Sequence, residues 1–166
     1  FSNKVLESPE FRAGLIYAAH HAWPETKPCV DVAVFNSDES LICLVQKRGE
    51  TLLRFPGGHF EHKHVNFEGT AKAESLEETG NCVDSLEYVY SGLVDDWRYA
   101  GHPDKKISTT LFKGISITTG ITPFDKGEIA KVTWEKFATL TEDQLVPEHR
   151  PLFHALKGKV SHAAAN

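Results

Sequence analysis

Residues 56–80, PGGHFEHKHVNFEGTAKAESLEETG, combine a strand break with a helix and decide the fold of this chain. The Pro-Gly-Gly turn at 56–58 ends the apolar segment before it, because proline and glycine interrupt regular strands. Asn66 is a favourable N-cap residue, and Gly80 is the residue type that commonly follows the last helical turn. The stretch therefore predicts a loop that leads into a helix over 66–79.

Three glutamates on this helix are the candidate chemical groups. Glu74, Glu77 and Glu78 are three and four residues apart, so they share one helical face. Like charges at this spacing destabilise an isolated helix by about 0.2–0.5 kcal/mol per pair, and by more where water is excluded. A magnesium ion would offset that repulsion, although such a triplet is also typical of a solvated helix face. The Pro-Gly-Gly turn, which lets a ligand approach the backbone closely, favours a pocket for a metal and a diphosphate.

The other segments alternate between strand-like and helix-like patterns. Apolar residues at helical spacing predict a helix at 10–22, and a closing helix is predicted from Gln144 onward. A polar turn at 36–40 lies between two apolar segments and indicates a hairpin. The predicted strands are 29–35, 41–46, 52–55, 83–94, 107–117 and 129–134, with a loop at 99–106. This order favours a mixed sheet with helices against its faces.

Composition restricts the class of protein. The chain has 166 residues and a net charge of −5, which fits one domain and argues against binding extended DNA or RNA. It has no apolar run long enough for a membrane helix and no secretory signal pattern.

Cys29, Cys43 and Cys82 have no paired spacing, so we expect reduced thiols and a cytoplasmic location. Because there is no methionine and the chain begins at Phe1, we expect a trimmed or processed chain, or one domain of a larger protein.

The stretch from Gly58 to Gly80 resembles the Nudix box, in which a glycine and a glutamate precede Arg-Glu-aliphatic-x-Glu-Glu-x-Gly on a helix. The resemblance extends more weakly over most of the chain. It implies an α/β fold, an α/β/α sandwich with a mixed sheet, forming a single domain over 1–166. Residues 1–28 would be an N-terminal helical extension and 161–166 a frayed tail. The implied activity is hydrolysis of a nucleoside diphosphate linked to another group.

The same resemblance implies a set of metal ligands. Glu74, Glu77 and Glu78 stand at the positions of metal-binding glutamates, and Gly57 stands where a backbone carbonyl also binds metal. The expected ion is Mg²⁺, with Mn²⁺ as the alternative. Such ions polarise phosphoryl oxygens and help to deprotonate the attacking water. The base that accepts the proton is left open between Glu77, Glu78 and Glu128, which lies in a later loop.

Several positions depart from the Nudix box. Ala73 replaces the arginine, Ser75 replaces the aliphatic residue, the loop before Asn66 is one residue longer, and His64 or Val65 replaces the early glutamate. In the family that arginine pairs with a box glutamate and orients it. Without this arginine, metal can still bind, but a glutamate that is not oriented is expected to catalyse more slowly. The alternative function is therefore a catalytically weak or inactive Nudix-fold module that binds or senses a nucleotide.

Five residues are the candidate substrate ligands. A cation at a strand end fits a phosphate, and the acidic, basic and aromatic segment at 95–99 fits an adenine or ribose hydroxyls. A solvated strand end, internal packing or a homodimer contact would explain the same residues. The candidates are Arg48, Phe55, Gly58, Asp96 and Arg98.

Three further segments bear on the identity of the substrate: residues 23–24, 94–109 and 148–149. Together they are similar to the Nudix domain of bifunctional proteins that join nicotinamide mononucleotide adenylyltransferase to ADP-ribose pyrophosphatase. That similarity implies ADP-ribose as the small-molecule substrate, hydrolysed to AMP and ribose 5-phosphate, in preference to nucleoside triphosphates. Packing of the closing helix is the other explanation for Glu148 and His149.

Overall fold

The computed structural model describes residues 8–21, 25–102, 105–118 and 127–164. Trp23 and Pro24, and parts of the predicted N-terminal extension and C-terminal tail, lie outside these residues. Within the described residues, no helix has both the length and the apolarity needed to cross a membrane.

The described residues form three α-helices and six strands, in the predicted order of helix, strands, helix, strands, helix. The helices are α1 (Pro9–His21), α2 (Phe67–Thr79) and α3 (Arg150–Ala164). The strands are β1 (Glu25–Phe35), β2 (Leu41–Lys47), β3 (Gly57–His59), β4 (Val83–Val94), β5 (Lys105–Ser116) and β6 (Ile129–Lys136).

The sheet is mixed, as the sequence predicts. Its strand order is β4-β5-β1-β2-β6, and the short β3 pairs with β1 away from this path. The pairing of β1 with β5 is parallel, whereas β1 is antiparallel to both β2 and β3. Because β1 is paired on both sides, it is buried along most of its length and carries β3 beside the middle of the sheet.

Alternating residues of β1 face two separate apolar clusters. Val30, Val32 and Val34 pack in a cluster that includes Ala71 of α2. On the opposite face, Phe35 packs in a cluster that includes Leu152, Phe153 and Leu156 of α3. Successive side chains of a strand point to opposite faces, so this alternation places α2 and α3 on the two sides of the sheet. The α/β/α sandwich is therefore confirmed.

The predicted helix caps of α2 are confirmed. The Asn66 side-chain oxygen accepts a hydrogen bond from the Gly69 N–H at 2.8 Å, and Gly80 has a φ of 72° with its N–H bonded to the Leu76 carbonyl. Ser75, at the aliphatic position of the Nudix box, is buried and donates from Oγ to the Asn81 carbonyl at 2.8 Å. This hydrogen bond explains how a polar side chain is accommodated at a buried position.

Several of the predicted element boundaries were wrong. Residues 52–55 form no strand and make only isolated bridges, in which Leu53 pairs with Leu145 and Arg54 with Val45. The closing helix begins at Arg150, because two short 3₁₀ turns at 142–144 and 147–149 precede it. It continues to Ala164, and the expected fraying of residues 161–166 stays a prediction. Strand β1 begins at Glu25, before Pro28, since parallel pairing with β5 starts there.

Replacing Asn66 by alanine should lower the free energy of unfolding by about 1 kcal/mol, because the Gly69 N–H loses its acceptor. Asn66→Asp keeps an acceptor at the same place and is the matched control. Urea unfolding of the three proteins measures the difference. Equal midpoints for Asn66→Ala and the unchanged protein would show that this cap does not stabilise α2.

Candidate active site

A polar pocket lies beside β3, where the loop at 56–58 meets α2. Its lining residues come from the sheet, from α2 and from the loops between elements, and most of them are charged. They include Asp31, Lys47, Arg54, Gly57, Gly58, His59, Glu61, Glu74, Glu78, Asp96, Arg98, Thr109, Glu128, Glu148 and His149. The predicted residues Gly57, Gly58, Glu74 and Glu78 therefore do come together, and Asp96, Arg98 and Glu128 join them.

Glu78 is the most deeply buried acid of α2, with 3% of its surface exposed. One carboxylate oxygen accepts a hydrogen bond from the Gly57 backbone N–H at 2.9 Å, and the other lies 3.4 Å from the Lys47 ammonium. Burial raises the pKa of Glu78 to about 7, against the opposing effect of the Lys47 charge. The carboxyl group is therefore held in place by the turn at 56–58 and gains from any nearby positive charge.

Glu74 lies one helical turn before Glu78 and faces the same pocket. Its carboxyl group lies against Gly58, where an added Cβ atom would collide with the carboxylate and make the Glu74 side chain shift. Burial raises the pKa of Glu74 to about 7, and the charges of Glu78 and Glu77 add to the effect. Two neighbouring acids of this kind form a favourable place for a cation.

Glu77 lies on the solvent side of α2 and does not line the pocket. Residues four apart on a helix are separated by about 40° around the axis, whereas neighbours are about 100° apart. Glu74 and Glu78 therefore face the pocket together while Glu77 is turned outward. Among the residues that the structure describes, no three His, Cys, Asp or Glu side chains are grouped closely enough to hold a metal ion.

Lys47, at the end of β2, lies among the acids of the pocket. Its ammonium group is 2.7 Å from the Glu128 carboxylate and 3.4 Å from that of Glu78. Arg48 follows it, and the Arg48 N–H donates to the Glu128 carbonyl at 2.9 Å. Arg48 lines the adjoining pocket, not the one that holds Glu74 and Glu78.

The inner end of the pocket carries a hydrogen-bonded group, of which the sequence indicated only His149. Thr109 donates to Asp31, and His149 Nε2 lies 3.5 Å from the other Asp31 oxygen. His149 Nδ1 accepts from the Phe55 N–H at 3.1 Å, so the ring proton is on Nε2, toward Asp31. Burial raises the pKa of Asp31 to about 6 and lowers that of His149. An acid within the apolar run CVDVAVF was the available signal.

The Phe55 prediction needs correction. Its ring is fully buried and stacks on His149, with the ring centroids 5.6 Å apart, so Phe55 packs the core and cannot contact a substrate. The preceding residue, Arg54, lines the pocket instead and pairs with Glu50 at 2.7 Å and Glu148 at 3.0 Å. Alternation along an extended segment explains why Arg54 and Phe55 point in opposite directions.

Asp96 and Arg98 form a bidentate pair at the mouth of the pocket. The Arg98 Nε and Nη2 atoms donate to the Asp96 carboxylate at 2.8 and 2.7 Å. Asp96 is buried and also accepts from the Arg98 N–H, so it caps the short turn Trp97–Tyr99. The pair holds the guanidinium beside the acids of α2 while 47% of the Arg98 side chain stays exposed.

A protein-family model for the NUDIX domain matches residues 25–156. The chain belongs to the Nudix family. The match covers the six described strands and α3 as far as Leu156, and it fits the position of Glu74 and Glu78 beside the Pro-Gly-Gly turn. Comparison with curated protein sequences gives no match.

Solved structures that resemble this chain include several Nudix proteins. The NUDIX domain of Shewanella oneidensis NrtR, solved in complex with ADP ribose, has a TM-score of 0.67 and 17% identity, covering 88% of this chain and 97% of that chain. A MutT NUDIX hydrolase from Burkholderia pseudomallei has a TM-score of 0.65 and 13% identity, covering 79% and 98%. A NUDIX hydrolase from Nitrosomonas europaea has a TM-score of 0.66 and 15% identity, covering 81% and 90%. At these identities the likeness concerns the fold.

The Nudix domain therefore has the fold and family that residues 58–80 predicted. Nudix hydrolases in general act on small nucleotide compounds with divalent metals such as Mg²⁺. The narrower resemblance to bifunctional adenylyltransferase proteins is supported by none of these comparisons and stays a hypothesis.

The stability of the metal-free protein should fall as the pH rises from about 5 to 8. Glu78 keeps its proton in the folded state up to a pKa of about 7, whereas the unfolded chain releases it near the ordinary glutamate pKa of 4.5. Folding therefore favours the protonated form, and on the order of 3 kcal/mol of stability is lost across this interval. Thermal melts with a chelator, at several pH values, measure the loss.

Glu78→Gln cannot ionise and is the control for this pH dependence, which should become flatter in the variant. Adding Mg²⁺ at pH 8 should restore stability to the unchanged protein. Identical pH profiles for the two proteins would show that Glu78 ionises normally in the folded state.

Gly57→Ala should destabilise the domain by more than about 2 kcal/mol. An added Cβ would collide with the Val30 carbonyl and with Asp31, so β3 would have to move away from β1. The movement would also separate the Gly57 N–H from Glu78. Gly101→Ala is the matched control, since a Cβ there meets no atom. Urea unfolding should separate the two variants, and equal midpoints would contradict the expected collision.

Proposed function

We propose that this Nudix domain hydrolyses the diphosphate of a nucleoside diphosphate linked to another group, with ADP-ribose as the first candidate and AMP and ribose 5-phosphate as products. One observation carries the proposal. Glu74 and Glu78 lie side by side in a pocket against Gly57 and Gly58, and burial makes both carboxylates favour a positive charge. The expected ion is Mg²⁺, with Mn²⁺ as the alternative.

The residues of the pocket fit a divalent cation of this kind. Mg²⁺ is commonly bound by one or two carboxylates together with substrate phosphates and waters. Glu74 and Glu78 supply the two carboxylates, and the turn at Gly57 and Gly58 leaves the backbone accessible beside them. When bound, the ion would polarise a phosphoryl oxygen and lower the pKa of the attacking water.

The other charged groups of the pocket support the binding and cleavage of a diphosphate. Lys47, Arg54 and Arg98 line it and offset the negative charge of the phosphates. Glu128 has 57% of its side chain exposed and lies at the opening of the pocket, which suits a group that exchanges protons with solvent. We propose its carboxylate as the acceptor of the proton from water, in preference to Glu77, which is exposed on the far side of α2.

Two aromatic residues favour a nucleotide that carries a base. Trp97 is 72% exposed, and with Tyr99 it lines a second pocket next to the first. Aromatic faces stack on nucleobases, and this pocket also contains Lys105 and Lys106. The similarity to the NrtR domain in complex with ADP ribose supports testing ADP-ribose first.

A second candidate function is nucleotide binding without turnover. The observation in its favour is the ion pairing of Lys47 with both Glu78 and Glu128, which engages two groups that catalysis requires. Ala73, which stands at the position of the box arginine, also favours binding without turnover. Metal-dependent product formation distinguishes the two functions.

Incubation with ADP-ribose and Mg²⁺ should release AMP, measured by anion-exchange chromatography. Glu78→Gln should lower kcat by at least about 100-fold, because a buried metal-binding carboxylate is lost. Glu68→Gln is the matched control on the same helix, since Glu68 is exposed in the first turn and does not line the pocket. NADH, FAD, diadenosine polyphosphates and capped RNA complete the substrate panel.

Tight binding of ADP-ribose without AMP release, in both the unchanged protein and Glu78→Gln, would support the second candidate. Neither binding nor turnover across the whole panel would contradict both candidates. Turnover that is equal in the two proteins would remove Glu78 from the mechanism.

Two wider predictions accompany this function: a cytoplasmic location and a homodimer. The reduced thiols of Cys29, Cys43 and Cys82 support the first. Size-exclusion chromatography with light scattering tests the second.

A further inference from the structure

Lys47 has an unusual position for a lysine, because its ammonium group lies between two acids that belong to different elements. Glu78 comes from the middle of the sequence on α2, and Glu128 comes from the segment that leads into β6. The ammonium is 3.4 Å from the first carboxylate and 2.7 Å from the second. Only 18% of the Lys47 side chain is exposed.

The backbone of β2 is arranged to hold Lys47 in this position. The pairing of β2 with β6 shifts register between Gln46 and Lys47, and irregularities of this kind change the direction of a side chain. The Arg48 N–H donates to the Glu128 carbonyl at 2.9 Å, which fixes the backbone of both partners next to the ion pair. The contact is therefore built into the sheet and differs from a chance pairing of two surface side chains.

A buried carboxylate needs a positive partner, and two kinds of partner compete for Glu78. Without a metal ion, removal of Glu78 from water would be costly unless a hydrogen bond and a cation compensate. The Gly57 N–H and Lys47 supply these two contacts. A divalent cation held by Glu78 would take over the role of the ammonium, and two cations so close together repel each other.

We propose that Lys47 is a resident counter-cation, which pairs with Glu78 and Glu128 before metal binds and is displaced from them by the incoming divalent cation. Metal loading is then an exchange of one cation for another. The displaced ammonium stays at the pocket, because Lys47 lines both the metal-side pocket and the adjoining one that contains Arg48, Arg54 and Arg98. This inference rests on the proposed function, since it requires that Glu78 binds metal.

The exchange predicts that removing the lysine strengthens metal binding. Calorimetric titration with Mn²⁺ alone should give a Kd about tenfold lower for Lys47→Gln than for the unchanged protein. Lys131→Gln is the matched control, because it removes the same charge from an exposed position on the neighbouring strand β6. Its Kd should equal that of the unchanged protein.

A second measurement reports the reactivity of the Lys47 amine. It distinguishes displacement of Lys47 from a general effect of its charge on metal affinity. The unchanged protein is treated briefly with an amine-acylating reagent, with and without Mg²⁺, and modified peptides are quantified by mass spectrometry. Modification of Lys47 should increase severalfold with Mg²⁺, because the released ammonium loses its ion pairs. Lys131, which is exposed, serves as the internal reference and should not change.

The outcomes separate this inference from the proposed function. Equal Mn²⁺ affinity for Lys47→Gln and the unchanged protein, or unchanged acylation of Lys47 while metal binds, would overturn the exchange and leave the hydrolase function standing. Absence of Mn²⁺ binding in both proteins would overturn the metal-dependent function and the exchange together. Tighter binding in the variant with faster acylation of Lys47 supports the exchange.

Discussion

The burial of the Glu78 carboxylate against the backbone of Gly57 is the interaction on which the site depends. The carboxylate is almost completely removed from water, and its hydrogen bond to the Gly57 N–H joins α2 to β3. An isolated charge at such a place would be very costly, so the ionised carboxylate requires positive charge from the pocket. Glu74, which is partly buried beside it, adds to this requirement, because burial raises its pKa as well. The site therefore requires a cation beside the carboxylates of Glu74 and Glu78.

Strand β1 positions the elements that form the pocket around this contact. It pairs with β5 in parallel, and its antiparallel pairing with β3 places Gly57 opposite Asp31. Its alternating valines hold α2 against the sheet, while Asp31 faces the pocket and accepts a hydrogen bond from Thr109. The same strand therefore positions the helix that carries the acids and the turn that accompanies them. A shift of one residue in its register would exchange the two faces and remove the pocket.

The charges around Glu78 come from elements that are distant in sequence. The helix carries Ala73 where the Nudix box has an arginine, and Lys47 from β2 forms an ion pair with Glu78. An electrostatic requirement of a buried carboxylate can be met from any direction, because it depends on distance and burial and not on the position of the partner in the sequence. Departure from the box pattern at one position therefore does not leave the acid without a cation.

The sequence by itself determined the local features: α2 with its caps, the order of helices and strands, the mixed sheet, and the position of Glu74 and Glu78 beside the Pro-Gly-Gly turn. These depend on interactions between residues a few positions apart and on apolar periodicity. Tertiary structure decided which side chains meet. Contacts such as Thr109 with Asp31 and Lys47 with Glu128 join residues 78 and 81 positions apart. They depend on strand register and on which way each side chain points, and neither is encoded by a short segment alone.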